Sequence, residues 1–153
     1  MSDLQLFQHT IMIATSSSWV ERCFTELEYM HQWLNPALRC EALPGESWST
    51  QQGAQSRFIM QVPIFRPVLI STVVERAPGL VVWEFDGFFQ GRDRWEVQPE
   101  GSGSLLINRF EFTIPNPLIS FGFNTFAAKW TQADMAAQLV RLKQVAERAS
   151  MAA

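Results

Sequence analysis

An α+β fold is predicted for this 153-residue chain: a strongly curved antiparallel sheet of about seven strands, with two short helices after strand 1 and a long C-terminal helix across the concave face. Three observations carry the prediction. Between Gly53 and Ile114 the apolar segments are extended in type and none has a helical period. The separators there are short, and a parallel crossover needs a dozen or more residues, so successive strands pair antiparallel as a meander. After the Pro115-Asn116-Pro117 break, Phe123 to Ala149 contains neither proline nor glycine and is rich in Ala, Gln, Leu, Met, Lys and Arg, which favours one long helix. A chain of this length buries roughly 70% of the surface its unfolded form exposes, and one domain, residues 1–153, is expected.

The elements follow in order. Leu4 to Ala14, with β-branched Thr10, Ile11 and Ile13, suits the first strand. Thr15-Ser16-Ser17-Ser18 supplies N-cap candidates, with Glu21 within capping reach, ahead of Trp19, Val20, Cys23, Phe24 and Leu27 at helical spacing. A second short helix through Tyr29, Met30, Trp33 and Leu34 stops at Asn35, because Pro36 disfavours helical geometry in the residue before it. A strand over Leu38 to Leu43 ends in the Pro44-Gly45 turn. Further strands run near Gln55 to Val62, Val68 to Arg76, Leu80 to Gly87, Arg92 to Gln98 and Ser104 to Ile114. Turn residues part them at Pro63 to Pro67, Pro78-Gly79, Gln90-Gly91 and Glu100 to Gly103.

Alternation assigns faces, since successive strand side chains point to opposite sides. On the last strand Leu106, Asn108, Phe110, Phe112 and Ile114 fall inside, and Leu105, Ile107, Arg109, Glu111 and Thr113 outside. Trp95 and Val97 look inward with Asp93, leaving Arg92, Arg94 and Glu96 out. Trp83 and Phe85 point in, so that Glu84 and Asp86 meet outer arginines as cross-strand pairs. Phe58, Met60 and Val62 make the earlier inner set. Along the terminal helix, Met135, Leu139, Leu142 and Ala146 form one apolar stripe with Arg141, Gln144 and Arg148 nearly opposite. In its first half Phe126, Trp130, Ala133 and Ala137 form a further stripe on the other side, so this part calls for cover on more than one face.

A single helix does not fill the concavity of a strongly bent sheet, so a cavity is expected between them. Its predicted ligand-binding lining is Phe58, Met60, Trp83, Phe85, Trp95, Phe110 and Phe112 from the sheet, with Phe123, Phe126 and Trp130 from the helix. Asp93 and Asn108 interrupt that apolar surface and are costly if left without partners. They are either bonded near the strand ends or serve as the polar anchors of the pocket. Phe88 and Phe89, at a hairpin tip beside Gly91, form either a lid over the pocket mouth or a local cluster.

Composition excludes several classes. A formal charge of −3 and a pI near 5.4 give no footprint for nucleic acid. With 47% hydrophobic residues but no run of eighteen, stable membrane insertion is not expected. The Met1-Ser2-Asp3-Leu4 start lacks a basic region and Gln8-His9 breaks the first apolar run, so a cytoplasmic location is expected. Cys23 and Cys40 fit two reduced, buried thiols. His9 and His31 have no metal-ligand spacing with the cysteines or with paired acids, so no metal is expected, and no residue pattern calls for a cofactor. Nucleophile elbows, phosphate-cradling glycine loops and Cys-His pairs are missing, and Glu26 and Glu28 suit a solvated helix junction. Among the aromatic residues twelve are Phe, six are Trp and only Tyr29 carries a phenol, which suits an oily cavity better than proton transfer by tyrosine.

The order of strand, two short helices, six-strand meander and long terminal helix resembles the helix-grip fold of the START-like (SRPBCC) superfamily, the polyketide cyclase/dehydrase and lipid-transport group. The resemblance spans nearly the whole chain. It rests on His9 to Ala14 leading into Ser16-Ser17-Ser18-Trp19-Val20, on Trp33-Leu34-Asn35-Pro36, on the Val74 to Leu80 turn, and on Trp95 ahead of Pro99 to Ser104. It implies an apolar ligand under the long helix, such as a lipid, quinone or polyketide-like metabolite, and leaves the reaction type open. The expected partner is therefore a small hydrophobic molecule, with oligomeric state left open. Family cyclases use tyrosine, histidine, arginine or acids that line the cavity, of which this inner face offers few. The competing expectations are a cyclase or dehydratase in which Asp93 or Asn108 is the catalytic residue, and an interaction module built on Phe88-Phe89 and the Phe126/Trp130 stripe.

Overall fold

In a computed structural model, described for residues 4–60, 67–87 and 89–153 apart from the side chains of 125 and 126, the sheet has seven strands. They are β1 (Gln5–Ile13), β2 (Leu38–Ala42), β3 (Gln55–Met60), β4 (Val68–Ala77), β5 (Leu80–Asp86), β6 (Gln90–Glu100) and β7 (Gly103–Thr113). Their spatial order is β1-β7-β6-β5-β4-β3-β2, every pair antiparallel. The first two strands thus form opposite edges, and the chain passes between them through α1 (Ser17–Thr25) and α2 (Leu27–Trp33). After β7 come α3 (Pro117–Gly122), a π-helical turn (Phe123–Ala127) and α4 (Ala128–Ala152). The curled sheet and its C-terminal helix form a helix-grip half-barrel.

Local chemistry sets the boundaries. Ser16 caps α1 by accepting from the Trp19 amide at 3.5 Å. With Ser16 as cap, Glu21 lies too far along to close a capping box. It accepts instead from the Gly79 amide at 2.7 Å and from Arg76 at 2.8 Å, tying α1 to the β4–β5 hairpin. The Val74 to Leu80 turn is therefore a docking point for the helix. The first helix is shorter than its apolar spacing suggests, because the backbone at Glu26 is extended and Leu27 opens α2.

The terminal helical region begins earlier than Phe123. Asn116 caps α3, its side chain accepting from the Leu118 and Ile119 amides at 3.0 and 3.2 Å, and Pro117 takes the first helical position, where a missing N–H costs nothing. Gln90-Gly91 is not a turn: both lie in β6, which runs from Gln90 to Glu100. Gly91 is required there by close approach, as a Cβ would stand 1.9 Å from the Glu111 carbonyl oxygen. Its strand position also moves Asp86 away from arginine. Asp86 accepts from Gln90 and the Gly87 amide, whereas Glu84 does pair with Arg92 at 3.0 Å. Val62 lies outside the described residues.

The interior divides into two clusters. In the first, Leu139, Leu142, Val145 and Ala146 of α4 pack with Ile13, Val20, Cys23, Phe24 and Leu106, all at most 3% exposed. Each large aliphatic side chain buried there contributes about 1.5–3 kcal/mol of transfer free energy. The second gathers Phe7, Leu69, Phe85, Phe89, Phe112, Phe123 and Met135. Gln144 and Arg148 face solvent opposite the apolar stripe, but Arg141 does not: its Nε donates to the Trp33 carbonyl at 2.8 Å.

Candidate functional site

Between sheet and terminal helix lies a hollow of about 250 Å³. Phe58 and Met60 of β3, Trp83 and Phe85 of β5, Trp95 of β6, and Phe110 and Phe112 of β7 line it. Phe123 from the π-helical turn and Trp130 from α4 complete the set the sequence assigns, while the side chain of Phe126 lies outside the described residues. Strand alternation is the reason: residues two apart on one strand share the concave face. The rings fall into two groups. Trp95 meets Trp33 with centroids 5.0 Å apart and stacks on Phe24 at 6.1 Å. At the other end Phe85 stacks on Phe110 at 5.3 Å, and Phe112 makes edge contacts with Phe89 and Phe123 at 5.3 and 5.4 Å.

Phe89 is thus buried, not exposed at a hairpin tip, and belongs to the aromatic cluster at the end of the hollow. This removes Phe89 from the exposed patch on which an interaction surface would rest; Phe88 lies outside the described residues. Trp130 is 64% exposed and stands at the opening of the hollow, and Ala133 beside it is also exposed. The cover expected over this stripe is absent among the described residues.

Two inward polar residues meet at the floor. Asn108, fully buried, donates from Nδ2 to Asp93 Oδ1 at 2.8 Å and to the Arg94 carbonyl at 3.1 Å, while Trp95 Nε1 donates to Asp93 Oδ2 at 2.9 Å. Burial pushes the Asp93 carboxyl up to about 6, and the bonds from Trp95 and Asn108 hold it from rising further. No cation pairs with it among the described residues: Arg92 and Arg94 point outward, to Glu84 and Glu96. The same surroundings push the Cys40 thiol up to about 12, chiefly through burial and further through the Asp93 charge. Cys23 and Cys40 are both free and buried.

A second polar group stands at the rim. Asp134 of α4 accepts from Asn35 Nδ2 at 2.7 Å and from Gln138 Nε2 at 3.0 Å, and lies 3.9 Å from the Arg141 guanidinium. Asn35 also accepts from the Ala37 amide at 2.8 Å, so the end of α2 is fastened to the helix above the hollow. The sequence signal for this seam is the run Asp134, Gln138, Arg141 at i, i+4 and i+7 beside the apolar stripe, which alternation on the strands does not reach. Trp33, Cys40, Trp48 and Ser71 also line the hollow without being singled out from sequence. For Ser71 the signal was present in the Leu69, Ser71, Val73 alternation of β4. For Trp33 and Trp48 it was not, because each reaches the interior from a helix or loop, anchored by an indole N–H to the Cys23 and Thr25 carbonyls. No group of three or more His, Cys, Asp or Glu is placed to hold a metal ion among the described residues.

Residues 5–147 match the family described as polyketide cyclase / dehydrase and lipid transport. The chain belongs to that family. Solved structures with the same fold include the TTHA0849 protein of Thermus thermophilus, with a TM-score of 0.75 and 16% identity, covering 95% of this chain and 99% of that one. The KanY protein matches with a TM-score of 0.74 at 18% identity over 95% and 99% of the two chains. The Zhui aromatase/cyclase from Streptomyces sp. R1128 matches with 0.72 and 14% over 95% of each. At these identities the likeness is one of fold. Among curated proteins none matches the sequence. Within the polyketide cyclase / dehydrase and lipid transport family, then, this member has an interior bordered mainly by rings, with the Asp93 carboxyl and the buried amides of Asn108 and Gln138 among its polar groups.

Proposed function

We propose that this chain binds or carries a small hydrophobic molecule, a lipid, quinone or polyketide-like metabolite, in the hollow between the sheet and the C-terminal helix. The supporting observation is the hollow itself: about 250 Å³ bordered mainly by aromatic and aliphatic side chains, with few polar groups. The hollow takes a ring system or short chain, and a longer tail has its exit past Trp130. Native mass spectrometry after gentle purification, followed by thermal shift across an apolar library, is the test. A bound mass or a concentration-dependent rise in Tm is expected, and a ligand-free spectrum with no shift from any compound ends the proposal.

A second reading, an enzyme of the cyclase or dehydratase type, is favoured by one observation: Asp93, with its carboxyl near 6, borders the hollow with its orientation fixed by Asn108 and Trp95. A group of that acidity is suited to protonate a bound carbonyl compound near neutral pH. The likeness in fold to an aromatase/cyclase is consistent with this. In that case Asp93→Asn abolishes turnover of a cyclisable polyketone, followed by mass spectrometry, and leaves circular dichroism unchanged. Full turnover by the variant removes the enzyme reading.

A further inference from the structure

We propose that the hollow selects hydrophobic amines, seating a protonated nitrogen against Asp93 between aromatic faces, and turns carboxylates away. The inference deepens the ligand-binding reading above and rests on it.

Charge is the first support. The described residues that line the hollow include two acids, Asp93 on the floor and Asp134 at the rim, and no lysine, arginine or histidine. The rim acid already has a cation near it, Arg141 at 3.9 Å. Among the described residues the floor acid has only neutral donors, one on each oxygen, from Asn108 and Trp95. An ionised carboxylate accepts at about four lone-pair sites, so two donors leave capacity for a third. With its carboxyl near 6, Asp93 is mostly ionised at pH 7.5, and a buried charge without a counter-charge is unfavourable. A ligand ammonium supplies that counter-charge, and a ligand carboxylate adds repulsion.

The rings are the second support, independent of the first. Trp83, Trp95 and Phe110 border the same space as Asp93, with Trp33 packed 5.0 Å from the Trp95 ring. Ring faces carry partial negative charge and attract an organic cation within about 6 Å, Trp most strongly. They reject an anion for the same reason. The outer arginines contribute nothing to the interior, because Arg92 and Arg94 are engaged by Glu84, Glu96 and Glu75 on the convex face. Pairing in a desolvated site adds less to affinity than to discrimination, so the effect shows as a ranking between matched ligands.

The test uses octylamine, octanol and octanoate, which share one chain and differ in the head, titrated into the native chain at pH 7.5. Isothermal calorimetry reads binding, and intrinsic fluorescence reports occupancy because Trp33, Trp83 and Trp95 line the hollow. Octylamine is expected to bind at least tenfold tighter than octanol, with octanoate weakest. Asp93→Asn, nearly isosteric, is expected to reduce the amine-to-alcohol ratio at least tenfold. If that variant does not fold, the ranking on the native chain decides alone. Equal binding of all three, or preference for octanol or octanoate, overturns the selectivity while leaving the hydrophobic-ligand proposal standing. Absence of binding by all three, together with a blank native mass spectrum and no shift in the apolar library, overturns both.

Discussion

The two ends of the C-terminal helical region are made of similar residues and do different things. From Leu139 to Ala146 the helix closes a packed core in which Leu142 and Ala146 have no solvent contact. From Leu118 to Trp130 it leaves Leu118, Phe121 and Trp130 at 80, 67 and 64% exposed, and Phe123 and Trp130 of this stretch border the hollow. Apolar content alone therefore does not tell which part of an amphipathic helix holds a fold together. What decides is whether the opposing surface is filled. Against the packed end stand α1, with the small side chain of Cys23, and Ile13 and Leu106 of the sheet. Against the open end stand large flat rings on a curved sheet, which leave volume between them.

This contrast breaks or holds under substitution. Leu142→Ala should cost about 2–5 kcal/mol in denaturant unfolding, the range for a large aliphatic side chain lost from a filled core. Phe110→Ala, although it removes a larger side chain, should cost less, because that ring already borders empty space. A greater loss at Phe110 than at Leu142 would mean that the two ends are equally packed.

Asp93→Asn tests the open end through pH. The carboxyl rises on folding from its ordinary value of 3.8 to about 6, so the folded state binds the proton more tightly than the unfolded chain. Its contribution is therefore fully present below about pH 4, is lost as pH rises through 6, and is absent above that. At 1.36 kcal/mol per pKa unit, the stability of the variant relative to the native chain should improve by on the order of 3 kcal/mol between pH 4 and pH 7. A difference that does not change with pH would place the carboxyl at its ordinary acidity.

Smaller effects are expected where only a clamp or an exposed ring is lost. Glu21→Ala leaves the Gly79 amide and Arg76 without their partner and should cost about 1–2 kcal/mol by chemical denaturation. Trp130→Ala should change stability by no more than about 0.5 kcal/mol, as exposed positions generally do. Its effect should appear instead in the affinity of whatever enters past it, measured by calorimetry with the octyl series.

Much of the fold was legible because it depends on periodicity. Alternation placed Asn108, Phe112, Trp95 and Phe85 inside without reference to any distant residue, and the helical stripe of Met135, Leu139, Leu142 and Ala146 is the one that is buried. Features that depend on contacts between distant segments were not legible. Glu21 looks like part of a capping box until its reach to Gly79 is known, and Arg141 looks solvated until the Trp33 carbonyl comes beneath it. Gly91 reads as a turn residue because glycine marks turns far more often than it marks a strand crossing close to a neighbour's carbonyl. At the site, the ring lining was visible from the strands, and the rim seam of Asn35, Asp134 and Gln138 was not, since it joins a loop to a helix about a hundred positions later.

The π-helical turn at Phe123–Ala127 has a separate consequence. Hydrogen bonds there run i→i+5, so the turn carries one residue more than an α-helix would spend on the same rotation. Deleting a single position from it lets the ordinary ladder close at nearly the same rotation, so the turns on either side keep their facing. Phe123 would hold its seat against Phe112 while Leu139 and Leu142 stayed where they are. Elsewhere along the helix a lost position has no such slack and turns one part against the other by about 100°. The spare residue, then, marks where the length of this helix can change by one codon with the aromatic wall still aimed as before.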